Sequence, residues 1–202
     1  MAHYPDRVMQ RRADALRVQW LSWVVVTMLA VSGCASVSTA PAPVAPGAPQ
    51  EVAAPQRWIR VHKSERMLYL YEGDAVIRAY RVVLGKDPVW AKLYQGDHRT
   101  PEGEYHISRK YYHPFWSRFM LLDYPTSYNH EIYAWSRVKG LLPVRRGRVP
   151  DIGGAVGIHG TEDERLNRRG VDWTEGCVSL FNHDIDELYD LVPIGTRVVI
   201  ER

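Results

Sequence analysis

The chain has 202 residues, of which 46% are hydrophobic, and a formal charge of +3; these values fit one ordinary globular domain with accessory segments and exclude a disordered chain. Four of its 26 basic and two of its 23 acidic residues precede position 33, which leaves 22 and 21 downstream. The body is therefore close to neutral, and its charge gives no case for binding nucleic acid.

The N-terminus reads as an address. Arg11, Arg12 and Arg17 precede an apolar run from Leu21 to Val31, too short to span a bilayer comfortably, which needs about 20 residues. A basic start, a short apolar middle and small residues at the end make residues 1–33 a secretory signal. The end, Val31-Ser32-Gly33-Cys34, resembles a bacterial lipobox. That resemblance implies a lipid on Cys34 and an exported lipoprotein held at the periplasmic face of a membrane. The alternative is an uncleaved signal anchor with an incidental cysteine. Residues 34–56 then form a Pro/Ala-rich tether, in which Pro41, Pro43, Pro46, Pro49 and Pro55 favour extended backbone.

The folded region is expected over 57–202. Trp58, Ile59 and Val61 alternate with Arg60 and His62 as a half-buried strand does. Met67–Tyr71 reads as a second strand, Glu72-Gly73-Asp74 as a hairpin turn, and Ala75–Leu84 as the return strand. Glu104–Arg109 and Phe119–Asp123 predict two further strands. Asn129–Lys139 predicts a helix closed by Gly140. Ala155–His159 predicts a strand. Asn182 is placed as the N-cap of a helix whose Ile185, Leu188 and Leu191 face the core, ended by Pro193 and Gly195. Thr196–Ile200 is the closing strand. Strands dominate, so the expected fold is mainly β: a small barrel or sandwich with one or two packed helices.

One thiol carries the chemistry. Cys177 lies in Asp172-Trp173-Thr174-Glu175-Gly176-Cys177-Val178-Ser179-Leu180, 18 positions after His159. A polar turn, Thr161 to Gly170, fills most of the gap and can bring the imidazole beside the sulfur. A cysteine beside a histidine is a nucleophile with its base. The chain has two cysteines, and a lipid on Cys34 leaves Cys177 without an intramolecular partner; a Cys34–Cys177 disulfide is the competing reading. Cys177 as a buried structural thiol and His159 as a satisfied core histidine remain the plain alternatives. Thr174 serves either the turn or a substrate, and Trp173 either the core or a substrate platform. The stretch Tyr111–Trp116 is compatible with a substrate groove, a packed lid or a satellite core. Arg145, Arg146 and Arg148 form a basic loop that either meets peptide carboxylates or is simply solvated. No run of His, Cys and carboxylates has metal-ligand spacing and no phosphate loop appears, so no metal and no cofactor are inferred.

Four pieces together resemble the YkuD-type L,D-transpeptidase catalytic domain. They are Val61–Tyr71 with Gly73, Gly96-Asp97-His98-Arg99-Thr100-Pro101-Glu102-Gly103-Glu104-Tyr105, Ile158-His159-Gly160-Thr161, and Thr174-Glu175-Gly176-Cys177-Val178. The wording of the second and fourth is most similar to the YafK/ErfK-like branch. The resemblance implies a peptidoglycan-modifying enzyme acting on stem peptides through a Cys177 thioester, with His159 as base and the Gly160 carbonyl orienting it. It also implies that Gly176, Glu175, Thr174 and Ser179 shape the oxyanion and substrate site. Two positions depart from the family pattern: Glu175 stands where many members have His, and Ser179 where many have Arg or Asn. Amine transfer is the expected reaction, cross-linking stems or attaching a protein to the wall. Hydrolysis of a cross-link or of a peptidoglycan–protein link is the alternative, and a non-catalytic wall-binding lipoprotein is the third reading.

Overall fold

A computed structural model describes residues 56–202. The expected signal, the lipidated Cys34 and all but the last residue of the tether lie outside the described residues.

Eight strands form one curled sheet in the order β3-β2-β1-β8-β4-β5-β6-β7. The first three, β1 (Arg57–His62), β2 (Met67–Glu72) and β3 (Ala75–Arg81), make an antiparallel meander. The last strand, β8 (Arg197–Glu201), lies parallel to β1 and antiparallel to β4 (Gly103–His113). A hairpin joins β4 to β5 (Ser117–Leu122), which pairs with β6 (Gly157–His159); β6 runs parallel to β7 (Val178–Ser179). Period-2 alternation decides which side chains enter the core. Ile59 and Val61, Leu68 and Leu70, and Val198 and Ile200 point in, while Arg60, Tyr69 and Val199 do not.

The strands are those expected from the sequence, with altered ends. The β4 strand is longer than Glu104–Arg109 because Tyr111–His113 pairs with β5. The return strand stops at Arg81, but its extension continues: Val83 and Ser179 exchange two backbone hydrogen bonds of 2.9 Å. The free edges of β3 and β7 are thereby stitched, and the sheet curls almost into a barrel.

Among the described residues three helices accompany the sheet, where one or two were expected. The first, α1 (Ser127–Val138), starts two residues earlier than predicted, with Thr126 and Asn129 closing a capping box. The second, α2 (Glu164–Arg168), sits inside the segment read as a polar turn. The third, α3 (Asn182–Leu191), presents Ile185 and Leu188 to the core as its spacing requires. Asn182 is not its N-cap, however. Phe181 holds that place, and the Asn182 side chain reaches across to Thr161, accepting from its N–H at 2.8 Å and donating to its carbonyl at 2.9 Å.

Candidate active site

The site is assembled at one end of the β5-β6-β7 ladder. Ile158 pairs with Val178 and His159 with Ser179. Cys177 immediately precedes β7, two residues before the partner of His159. A helix and a loop separate the two residues in sequence, and the pairing of β6 with β7 brings their two segments of chain side by side.

Cys177 is a free, half-buried thiol. It opens on a cavity of about 310 Å³ walled by Gly153–Val156 on one side and Glu175–Cys177 on the other, with Lys92, Gln95 and Gly96 completing it. Its Sγ lies 3.7 Å from the Ala155 carbonyl. Burial pushes the thiol up to about 11, against the opposing pull of the Gly157 N–H and the Lys92 charge.

His159 is buried and does not line this cavity. Its ring stacks on Trp116 at 4.5 Å and Phe119 at 5.3 Å and meets the edge of Trp173 at 5.8 Å. His113 stacks in turn on Trp116 at 4.3 Å. The aromatic stretch is therefore the tip of the β4–β5 hairpin, packed as a lid on the imidazole. Burial pulls His159 down to about 4. Its Nδ1 is 2.7 Å from the Gly160 carbonyl oxygen. A carbonyl can only accept, so Nδ1 carries the proton and Nε2 is left as a free base. Among the described residues no hydrogen bond joins His159 to Cys177.

That carbonyl is itself fixed. Ser179 Oγ donates to it at 2.9 Å and accepts from Asn167 Nδ2 at 3.1 Å, and Asn167 Oδ1 accepts from Trp173 Nε1 at 2.9 Å. Ser179 is fully buried. It therefore corrects the expectation of a substrate contact, because it holds the imidazole's acceptor in place. Thr174, left open between the turn and a substrate, serves the turn. Buried, its hydroxyl donates to the Cys177 carbonyl at 2.7 Å and accepts from the Gly176 N–H at 3.1 Å. Of the backbone N–H groups in the Glu175–Cys177 turn, that of Gly176 is thus engaged inside the turn, whereas among the described residues that of Cys177 has no acceptor. Gly176 is required for another reason: at φ +139° a Cβ would sit 2.6 Å from the Arg99 carbonyl. Glu175 is exposed but not merely solvated, since it pairs with Lys86 and His98 and lines the cavity. These two partners draw its carboxyl below the usual range, with the Lys86 hydrogen bond as the larger influence.

Sequence reasoning missed three contributors. Asn167 and Asn182 are polar residues in or beside helices, and their targets are visible only once the chain folds back. Lys92 is the third. It is buried, with an ion pair of 2.8 Å to Asp97, yet a lone lysine in a loop carries no sequence signal. Gly96-Asp97 was quoted only as part of a motif, and Asp97 proves to organise that loop, accepting from the Leu93, Tyr94 and Arg99 N–H groups. Among the described residues no group of three or more His, Cys, Asp or Glu side chains converges in a way that could hold a metal ion.

Comparison with known proteins agrees with this architecture. The chain is 23% identical to the YafK protein of Escherichia coli K12 over 179 residues, covering 85% of this chain and 61% of that one. It is 26% identical to YqjB of Bacillus subtilis over 143 residues, covering 71% and 70%. Among solved structures, the helical cell shape determining protein Pgp2 of Campylobacter jejuni superposes with a TM-score of 0.54 at 21% identity, covering 74% of this chain and 49% of that one. Bd1075 of Bdellovibrio bacteriovorus gives 0.52 at 20%, covering 75% and 50%. The chain thus spans about half the length of these solved chains. Residues 56–200 match the YkuD L,D-transpeptidase catalytic domain, and this chain belongs to that family.

Proposed function

We propose that the protein is a cysteine acyltransferase of peptidoglycan, with Cys177 as nucleophile and His159 as base. One observation supports this above others: a free thiol opens on a cavity, and two residues beyond it the chain pairs in register with a histidine whose Nε2 is an unprotonated acceptor.

The reaction requires Sγ, 3.7 Å from the Ala155 carbonyl, to meet the free Nε2 of His159. The thiol proton passes to Nε2 as sulfur bonds to the carbonyl carbon of the third residue of a stem tetrapeptide. The developing oxyanion is stabilised by the unengaged Cys177 N–H, a donor whose loss typically costs about 3 kcal/mol of barrier. The C–N bond then breaks, and the departing D-alanine amine takes the proton from His159. An acceptor amine attacks the thioester, sulfur leaves, and the proton returns to the thiol. Wall attachment of a protein uses the same steps with that protein's amine. Upstream, a lipid on Cys34 and the tether hold the domain at the periplasmic face of a membrane; palmitate labelling lost in Cys34→Ala tests that part.

The enzymatic reading is tested by incubating wild-type and Cys177→Ala protein with stem tetrapeptide and resolving the products. Wild type is expected to give cross-linked dimers and an acyl adduct on Cys177, and Cys177→Ala neither. Trimmed or released peptide with no dimer replaces the amine acceptor with water. Product formation that survives Cys177→Ala overturns the reading.

A further inference from the structure

The cavity beside Cys177 contains a buried cation that the mechanism above does not use. Lys92 Nζ carries three N–H donors. Two are engaged, with Asp97 Oδ1 at 2.8 Å and the Tyr94 carbonyl at 3.1 Å. Among the described residues the third meets no acceptor, and Lys92 lines the cavity. The nitrogen sits 3.8 Å from where a Cβ on Gly176 would stand, next to the residue that precedes the nucleophile.

Asp97 does not cancel this charge alone, because its two oxygens also accept three backbone N–H groups. Its negative charge is shared among four donors. Asp97 therefore fixes the ammonium in place and leaves one of its N–H donors without a partner among the described residues. The other ionic group on the wall, Glu175, is already paired with Lys86 and His98. A second cation stands at the rim. Arg145 lies over the Tyr94 ring at 5.7 Å, and its Nη1 is 3.3 Å from where a Cβ on Gly96 would stand. The remaining wall is rich in glycine and carries no free anion.

The geometry points to Lys92 as the residue that reads the free C-terminal carboxylate of the substrate peptide. This inference rests on the reading of Cys177 as the nucleophile. In a peptide attacked at its last amide, the terminal carboxylate follows the scissile carbonyl by one N–Cα–C unit, a reach of about 4 Å. An ammonium beside Gly176 meets that group when the carbonyl lies over Sγ. Selection for the last amide of a chain follows, because an internal amide has no carboxylate at that position. Lys92 is in this sense a specificity-determining residue, and it stays outside the proton transfers.

The test is equilibrium binding to the Cys177→Ala protein, which does not require turnover. The probes are a stem tetrapeptide with a free C-terminal carboxylate and the same peptide as its C-terminal carboxamide. The acid is expected to bind about tenfold tighter or more, the range of one charge-assisted hydrogen bond. Adding Lys92→Gln, which keeps a donor for Asp97 but removes the charge, is expected to reduce that preference to within about twofold. If Lys92→Gln does not fold, the acid–amide comparison in Cys177→Ala decides. Equal binding of acid and amide, a preference that survives Lys92→Gln, or no binding of either peptide overturns the inference. Equal binding with slower acylation in the Lys92→Gln single variant also overturns it, and assigns Lys92 to the oxyanion. Failure of the nucleophile reading shows elsewhere, as product formation that persists in Cys177→Ala.

Discussion

Cys177 and His159 hold their protons in the order opposite to that of a preformed ion pair. Burial pushes the thiol up to about 11 and pulls the imidazole down to about 4, so both are neutral at pH 7. Little thiolate then stands in the free protein at neutral pH. Alkylation of the free protein by iodoacetamide should therefore rise about tenfold per pH unit from pH 6 to 9, following the thiolate fraction. A plateau across that range would reveal a standing thiolate–imidazolium pair. The same burial has a stability consequence. His159 has a lower pKa folded than unfolded, so the unfolded chain binds more protons between about 6.5 and 4. Its contribution is fully present above pH 6.5 and is lost as pH falls toward 4, by up to about 3 kcal/mol. Denaturant titrations should show that slope in wild type and its flattening in His159→Gln. An unchanged slope would mean that the ring is solvated in the folded state.

At the scale of elements, the hairpin β4–β5 and strand β6 act as one piece. Phe119 pairs with His159 in register, and its ring lies over Gly157, where an added Cβ would be 2.2 Å from Cε1 and 2.7 Å from the Met120 carbonyl. Gly157→Ala should displace that ring and with it the imidazole, at a cost of about 1–3 kcal/mol. A thermal melt and a thiol-reactivity assay check it: the melting temperature should fall and the reactivity of Cys177 should change together. The strands of this piece were legible in the sequence as short runs of strand-forming residues, although β6 is buried throughout and β5 does not alternate strictly, and His159 and Cys177 because a motif places them. The five-residue α2 was hidden by its charge, since Glu164, Arg165 and Arg168 make a helical turn look like a loop. The roles of Ser179 and Asn182 were misread for a shared reason. Each has a side chain whose partner is set by strand register or chain reversal, and neighbouring letters do not encode that.

The whole molecule depends on closing its sheet near the thiol. The extension of β3 meets β7 at Val83 and Ser179, and the Thr174 N–H donates to the Leu84 carbonyl at 3.1 Å. Asp172, just before the Cys177 turn, locks this seam. Its carboxylate accepts from the buried Leu84 N–H at 2.8 Å and pairs with Arg66 at 2.7 Å. Removing it leaves a buried N–H and a guanidinium without their acceptor, a loss larger than that of an exposed ion pair. Asp172→Ala should cost about 3 kcal/mol, or roughly 6–12 °C in Tm for a domain of this size. Glu162→Ala, at an exposed position, should stay within about 0.5 kcal/mol. Because the seam borders the Thr174–Cys177 turn, Asp172→Ala should also lower the rate of Cys177 acylation measured well below its melting temperature. A variant that melts early but acylates at the wild-type rate would show that closure of the sheet and placement of the sulfur are independent.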